Sequence, residues 1–268
     1  MADLLGFLHY DFVLRGLAAG LIIALVAPLI GMFLVLRRYA LIADTLSHVA
    51  FTGIAIGVVL GVNPVPTTIA TTLLSSVVIE RLRSGRRLSG DAALSLFLSG
   101  SLALAIVLIS ARRGVGVNVA SYLFGSIVTV TNADIAVIGA LGLLVACTVV
   151  LLLKELVAIS FDEDVAKVGG IPVVRLNTVF IALTALTIAF ALPILGVLLI
   201  SALIVIPVLA ALQYRAGFLK TLLIAETVSV AAVLLGMLAS LAFNVASGGS
   251  IVLAALTLFF LSLWVNQR

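Results

Sequence analysis

The chain has 268 residues, 64% of them hydrophobic and 10% charged, with a mean hydropathy of +1.41. Soluble domains run nearer half apolar and about a quarter charged, so a water-soluble fold is excluded, and the single cysteine, Cys147, excludes an intrachain disulfide scaffold. A net charge of +4 with pI near 9.6 would point to nucleic acid in a soluble chain. Here the basic residues sit between long apolar runs, so no nucleic-acid partner is expected and the lipid bilayer is the surrounding medium.

At about 20 residues per crossing, the apolar runs predict spans near 12–36, 41–62, 65–80, 92–110, 133–153, 173–191, 194–213, 218–243 and 250–265. The third is short and bounded by Asn63, Pro64 and Pro66. Leu192 and Pro193 mark a tight turn between the sixth and seventh, so eight crossings stand as the alternative to nine. Continuous apolarity at helix length, without alternation, predicts an all-α polytopic transmembrane bundle rather than a β-barrel. Residues 1–10 lack the basic start of a cleavable signal peptide, so the first helix is expected to be retained. In a nine-span arrangement twelve of the fifteen basic residues fall on one side, and only Arg15, Arg112 and Arg113 fall opposite. The positive-inside rule then puts the N-terminus outside and the C-terminus in the cytoplasm. Segment 114–131 is too brief and glycine-interrupted to be assigned a span. No soluble domain fits, so 1–268 reads as one membrane domain with short connections.

Ionisable groups inside a bilayer are costly, so each one is a functional candidate. Three fall well within the predicted spans: Asp44, His48 and Glu226. Asp44 and His48 stand at i and i+4 in ALIADTLSHVAF, which puts a carboxylate and an imidazole on one helix face about 6 Å apart along the axis. Two roles are open at that spacing. One is ligation of a metal ion, since oxygen with imidazole nitrogen suits zinc, manganese or ferrous iron. The other is a local hydrogen bond near the membrane mouth, with Asp44 helping to start the helix. On the opposite side of the same helix, Gly53, Gly57 and Gly61 form a ridge of small residues that lets a neighbour approach closely. Glu226, in LKTLLIAETVSV, is expected to make an interhelical hydrogen bond.

The stretch SFDEDVAKVGGI at 160–171 reads as a short bounded helix between the fifth and sixth spans. Ser160 and Glu163 have capping-box spacing, Asp162, Glu163 and Asp164 charge the first turn, Gly169 and Gly170 supply the stop, and Pro172 begins the next element. Phe161, Val165 and Val168 share a face. The helix is too short to span and suits docking on a soluble cytoplasmic partner; a helix lying on lipid headgroups is the alternative, which the acidic start opposes. The sequence contains no Walker loop and no set of nucleophile and base in a watery site, so neither ATP binding of that kind nor catalysis is expected of this chain.

Three motifs, RRYALIADTLSHVAFTGIAIG at 37–57, FDEDVAKVGGIP at 161–172 and ILGVLLISALIVIPVLAA at 194–211, with SYLFGSI at 121–127, span nearly the whole chain. On these the chain resembles the integral membrane permease of the zinc/manganese ABC transporter family. It departs from the family's usual pattern at Thr45 and at Ser126. The resemblance implies an importer permease in the prokaryotic plasma membrane that works as a homodimer. Its implied partners are two cytoplasmic ATPase subunits and an extracytoplasmic metal-binding protein. Zinc, manganese or iron would pass through as substrate, with no cofactor bound permanently. Asp44 and His48 match positions of the family's metal path, and a twofold axis would bring two copies of each together. Phe161, Asp162, Glu163, Val165, Ala166, Val168 and Gly169 match the segment that couples to the ATPase. Two other readings remain at this point: a permease of the siderophore/vitamin B12 type, and a proton-coupled secondary carrier using Asp44, His48 and Glu226 as a relay.

Overall fold

In the computed structural model, described over residues 10–84, 89–111, 125 and 130–266, every regular element is a helix. In chain order these are α1 (Asp11–Leu36), α2 (Leu41–Leu60), α3 (Pro64–Ser84), α4 (Gly90–Ala111), α5 (Asn132–Leu151), α6 (Leu153–Phe161), α7 (Glu163–Val168), α8 (Val173–Leu195), α9 (Val197–Leu212), α10 (Phe218–Phe243) and α11 (Ser247–Asn266). Apart from the short α6 and α7, each follows one of the apolar runs. Seven of them are long and apolar enough to cross a membrane: α1, α2, α4, α5, α8, α10 and α11. The other two fall short for different reasons. Helix α9 has 16 residues, and at 1.5 Å per residue it is about 24 Å long against a hydrocarbon core of about 30 Å. Helix α3 has the length but carries many hydroxyls.

Those hydroxyls are satisfied within their own helix. Thr67 and Thr68 donate to the Pro64 carbonyl, Thr71 to Thr67, Thr72 to Thr68 and Ser76 to Leu73. A hydroxyl returned to a backbone carbonyl of the preceding turn no longer needs water, so a polar face can be buried against other helices. Thr68, Thr72, Ser76 and Glu80, four residues apart, make one such buried column.

Helix α2 lies in the interior, packed against α3 and α4 and touching α8 and α9. A Cβ added at Gly53 would lie 2.5 Å from the Cα of Thr68, and one at Gly57 would lie 2.7 Å from the Cα of Pro64. The ridge therefore meets the backbone of α3, as the sequence pattern requires. Gly61 does not extend it, because it ends α2 as a C-cap in the left-handed region at φ 71°. On the α4 side, Thr52 donates to the Ser101 carbonyl at 2.7 Å, and the Thr45 hydroxyl lies 3.4 Å from the Leu94 carbonyl while bonding Leu41 of its own helix at 2.9 Å. The departure at Thr45 thus acquires a role at a helix contact. With α3 and α4 on these faces, the strip of Leu41, Asp44 and His48 is left accessible.

Three expectations need correction. The turn between the sixth and seventh runs is at Gly196, not at Leu192 and Pro193; α8 continues through Pro193, which costs one intrahelical bond in its last turn. Gly196, at φ 79° and ψ 163°, occupies a region open essentially to glycine alone. The helix of the fifth run ends at Leu151, short of the predicted 153, and a separate helix, α6, follows it. The cap of α7 is Asp162 rather than Ser160: its Oδ1 accepts from the backbone N–H of Asp164 at 2.9 Å and of Val165 at 3.0 Å. Ser160 is instead the penultimate residue of α6 and donates to the Leu156 carbonyl. Segment 114–131 and the SYLFGSI motif lie largely outside the described residues. At its end, Thr131 forms a capping box with Asp134 at the start of α5.

The Gly53 contact is with backbone, which cannot yield as a flexible side chain could. Gly53→Val is therefore expected to destabilise the bundle by about 1–3 kcal/mol and lower its melting temperature in detergent. Gly100→Ala, where an added Cβ meets nothing within 4 Å, should leave melting unchanged; equal melting of the two variants would remove the close-packing role.

Candidate metal path and coupling surface

The approach to Asp44 is built by a tight reversal. Helix α1 closes with the N–H of Arg38 on the Val35 carbonyl and that of Tyr39 on the Leu34 carbonyl, with Arg38 left-handed at φ 60°. This is the Schellman arrangement, held here by a non-glycine residue at a cost of about 1–2 kcal/mol. It lets α2 begin at Leu41 and sets Asp44 in the first turn, where the helix dipole favours a carboxylate.

Asp44 and His48 do share a face. Their side chains are 38% and 15% exposed, with His48 Nε2 3.7 Å from Asp44 Oδ1. That separation is too long for a hydrogen bond, so the local-bond reading is not what the geometry gives. His48 Nδ1 is buried and has no hydrogen-bond partner among the described residues. Both groups thus keep lone-pair capacity for an ion. No cluster of three or more metal-ligating side chains occurs among the described residues, so one copy offers one carboxylate and one imidazole. Glu226 is partly exposed on α10, and the interhelical bond expected of it is absent among the described residues.

At the end of the bundle where α1 meets α2, which is also where α6 and α7 lie, two arginines organise a polar layer. Arg37 donates from Nη1 to Asn177 Oδ1 at 2.7 Å, from Nε to Ser160 Oγ at 3.0 Å and from Nη2 to the Leu156 carbonyl at 3.3 Å. Its guanidinium also sits 5.5 Å from the centre of the Phe180 ring. Burial, the largest influence, draws its pKa down to about 10 against the pull of Glu163, so it remains charged at neutral pH. Arg37 ties the end of α1 to α6 and α8, and Phe33, one turn earlier, packs edge-on against Phe180 at 5.7 Å.

Arg83 forms the second centre. It forks onto Glu80 through Nε at 2.9 Å and Nη2 at 2.7 Å, donates from Nη1 to the Tyr39 hydroxyl, and stacks 4.7 Å from the Tyr39 ring centre. Glu80 is 2% exposed, so this bidentate pairing keeps its charge from being stranded. Sequence reasoning missed Glu80, because it closes the third apolar run and merges with the basic loop. The available signal was its spacing of three from Arg83.

Of the residues expected to couple, Phe161 (81%), Val165 (67%) and Val168 (90%) stand exposed on this end. Ala166 does not belong to that face: it is buried with Ile159 and Val173, and anchors α7 to its neighbours. Asp162 caps the helix and Gly169 closes it. Glu163 turns toward the bundle, 3.6 Å from Arg83 and 3.2 Å from Lys167.

Residues 9–266 match the profile of the ABC 3 transport family. The chain belongs to that family. It is 37% identical over 260 residues to a probable metal transport system membrane protein of Treponema pallidum, covering 97% of each chain. It is 29% identical over 259 residues to the high-affinity zinc uptake system membrane protein ZnuB of Haemophilus influenzae, covering 97% of this chain and 99% of that one. Among solved structures, PsaBC from Streptococcus pneumoniae in complex with Fab matches with a TM-score of 0.85 at 29% identity, over 97% of this chain and 94% of that one. As an ABC 3 member the chain is a multi-pass membrane transport subunit rather than an enzyme.

In this ABC 3 member the three acceptors of Arg37 come from two helices, and only the planar fork of a guanidinium reaches all of them. Arg37→Lys is expected to keep the charge but lose the fork; Ser160 still donates to the Leu156 carbonyl, so the main loss is the partner of the buried Asn177 Oδ1, about 1–3 kcal/mol. Detergent melting should fall clearly; a wild-type melting curve would mean the fork is dispensable.

Proposed function

We propose that this chain is the translocation subunit of an ATP-driven importer of divalent metal ions, with Asp44 and His48 lining the path. The observation that carries the reading is the pair itself: a carboxylate and an imidazole on an accessible strip of an interior helix, not hydrogen-bonded to each other, with a buried ring nitrogen unpartnered among the described residues. Oxygen and imidazole donors suit zinc, manganese and ferrous iron, and named relatives handle metal. Two donors make an incomplete shell. A homodimer about a twofold axis would bring two carboxylates and two imidazoles to one point. Such a site has to be weak, because an ion held tightly does not leave.

The remaining parts follow from the same reading. All nine long helices cross, with the N-terminus outside, which places Arg37, Arg83 and α7 on the cytoplasmic side in accord with the partition of basic residues. The short α9 is sheltered among α1, α2, α10 and α11, where local thinning is tolerated. Phe161, Val165 and Val168, apolar but on an end that faces water in this topology, offer a docking face for an ATPase subunit. An extracytoplasmic binding protein delivers the ion at the opposite end, and alternating access moves it across.

Uptake of radioactive zinc into proteoliposomes holding the permease, its ATPase and its binding protein tests the path. Asp44→Asn keeps the side chain's size without its charge and His48→Ala removes a ligand; each is expected to reduce uptake to background while the complex still assembles. Asp44→Glu keeps the charge but moves the oxygens, and partial uptake with an altered order among zinc, manganese and iron is expected. Wild-type uptake in both Asp44→Asn and His48→Ala would remove α2 from the metal path.

Topology has its own measurement. In a Cys147→Ser background, Lys167→Cys on α7 should resist an impermeant thiol reagent added outside intact cells and react once the cells are opened. Labelling from outside would reverse the orientation.

A further inference from the structure

The half-buried Arg83 centre joins three segments that are distant in sequence: α3 through Glu80, the α1–α2 turn through Tyr39, and α7 through Glu163. These contacts are unequal. The Glu80 fork and the Tyr39 bond have hydrogen-bond geometry, so the guanidinium belongs to α3 and Tyr39 as a unit. At 3.6 Å the Glu163 contact is an ion pair without a close hydrogen bond. Glu163 also has a second cation on its own helix, Lys167 at 3.2 Å, so α7 can draw back from Arg83 without leaving a carboxylate unpaired.

The surroundings of α7 are consistent with movement. It has six residues, its apolar anchoring comes from a small cluster of Ile159, Ala166 and Val173 separate from the main core, and it is followed by Gly170 at φ 83° with open space around it. At the other end of the linkage, Tyr39 stands five residues before Asp44, and α2 starts at Leu41.

We propose that Arg83 is the positioning residue that passes displacement of α7 to the start of α2, and so to Asp44 and His48, by making and loosening its ion pair with Glu163. The proposal rests on the docking role given to α7 above and adds the route inward. An approach of α7 by about 1 Å turns the long contact into a charge-assisted hydrogen bond, pulling α7, α3 and Tyr39 into one body. Withdrawal hands Glu163 to Lys167 and lets α2 move independently of α7.

The test uses the whole reconstituted complex, with zinc as the transported ion and a cysteine at Leu41, half-exposed beside Asp44, in a Cys147→Ser background. In the parent complex ATP is expected to change the thiol-labelling rate at this cysteine severalfold. Arg83→Lys keeps a cation beside Glu80 but loses the Tyr39 stack and the reach to Glu163; it should abolish the ATP-dependent change and reduce zinc uptake at least tenfold, with ATP still hydrolysed. Glu163→Gln should likewise abolish the change, and the double variant should transport no worse than the poorer single one, because both cut the same joint. A normal labelling response and uptake within twofold of the parent in either single variant overturns the proposal, as do multiplied losses in the double variant. Phe161→Asp distinguishes the underlying reading: if that complex still holds its ATPase and transports normally, the docking face itself is wrong, whatever Arg83 does.

Discussion

In hydrocarbon, a polar group has to find its partner within the protein, and the bundle is organised by how most of them do so. Most hydroxyls turn back onto their own helix, as along α3 from Thr67 to Ser76. Those that lean outward, Thr45 and Thr52, reach carbonyls of α4. At one end Arg37 directs its fork to neutral acceptors and Arg83 its own to Glu80. Asp44 and His48 stand out because they meet only in a 3.7 Å contact, with no hydrogen bond between them.

The same rule separates what composition reveals from what it conceals. Helix α2 was readable because its polar pair and its glycines lie on opposite faces at helical spacing, and each face does something different in the bundle. The limits of α8 and α9 differ from those the sequence suggests because a proline in a last turn removes little, and the reversal needs the backbone freedom of Gly196. Helix α6 has no counterpart among the predicted spans because its nine residues are too few to cross, and Lys154 and Glu155 interrupt the apolar run without ending helical structure.

The candidate site is legible in part for a similar reason. An ionisable residue in mid-span announces itself, so Asp44, His48 and Glu226 were found, although Glu226 lacks the partner expected of it among the described residues. Glu80, Tyr39 and Asn177 did not announce themselves, because each sits where an apolar run gives way to polar sequence and only the fold brings them under Arg37 and Arg83. Ser160 and Asp162 exchanged roles in the same region: two candidate caps two residues apart cannot be ranked until the preceding helix is known to run to Phe161.

The hydroxyls of Thr45 and Thr52 are seven residues apart on α2, and the carbonyls they face, Leu94 and Ser101, are seven apart on α4. A hydrogen bond at Thr52 and a looser contact at Thr45, whose proton is given to Leu41, hold α4 against α2 along two turns like a plank with one bolt and one stop. The outer side of that plank carries Leu96, Ile106 and Val107, more than half exposed. In the bilayer, then, the lipid-facing surface of α4 is mechanically continuous with the helix that bears Asp44 and His48. A probe bound there, or a change in the lipid that wets it, bears on the helix that carries Asp44 and His48.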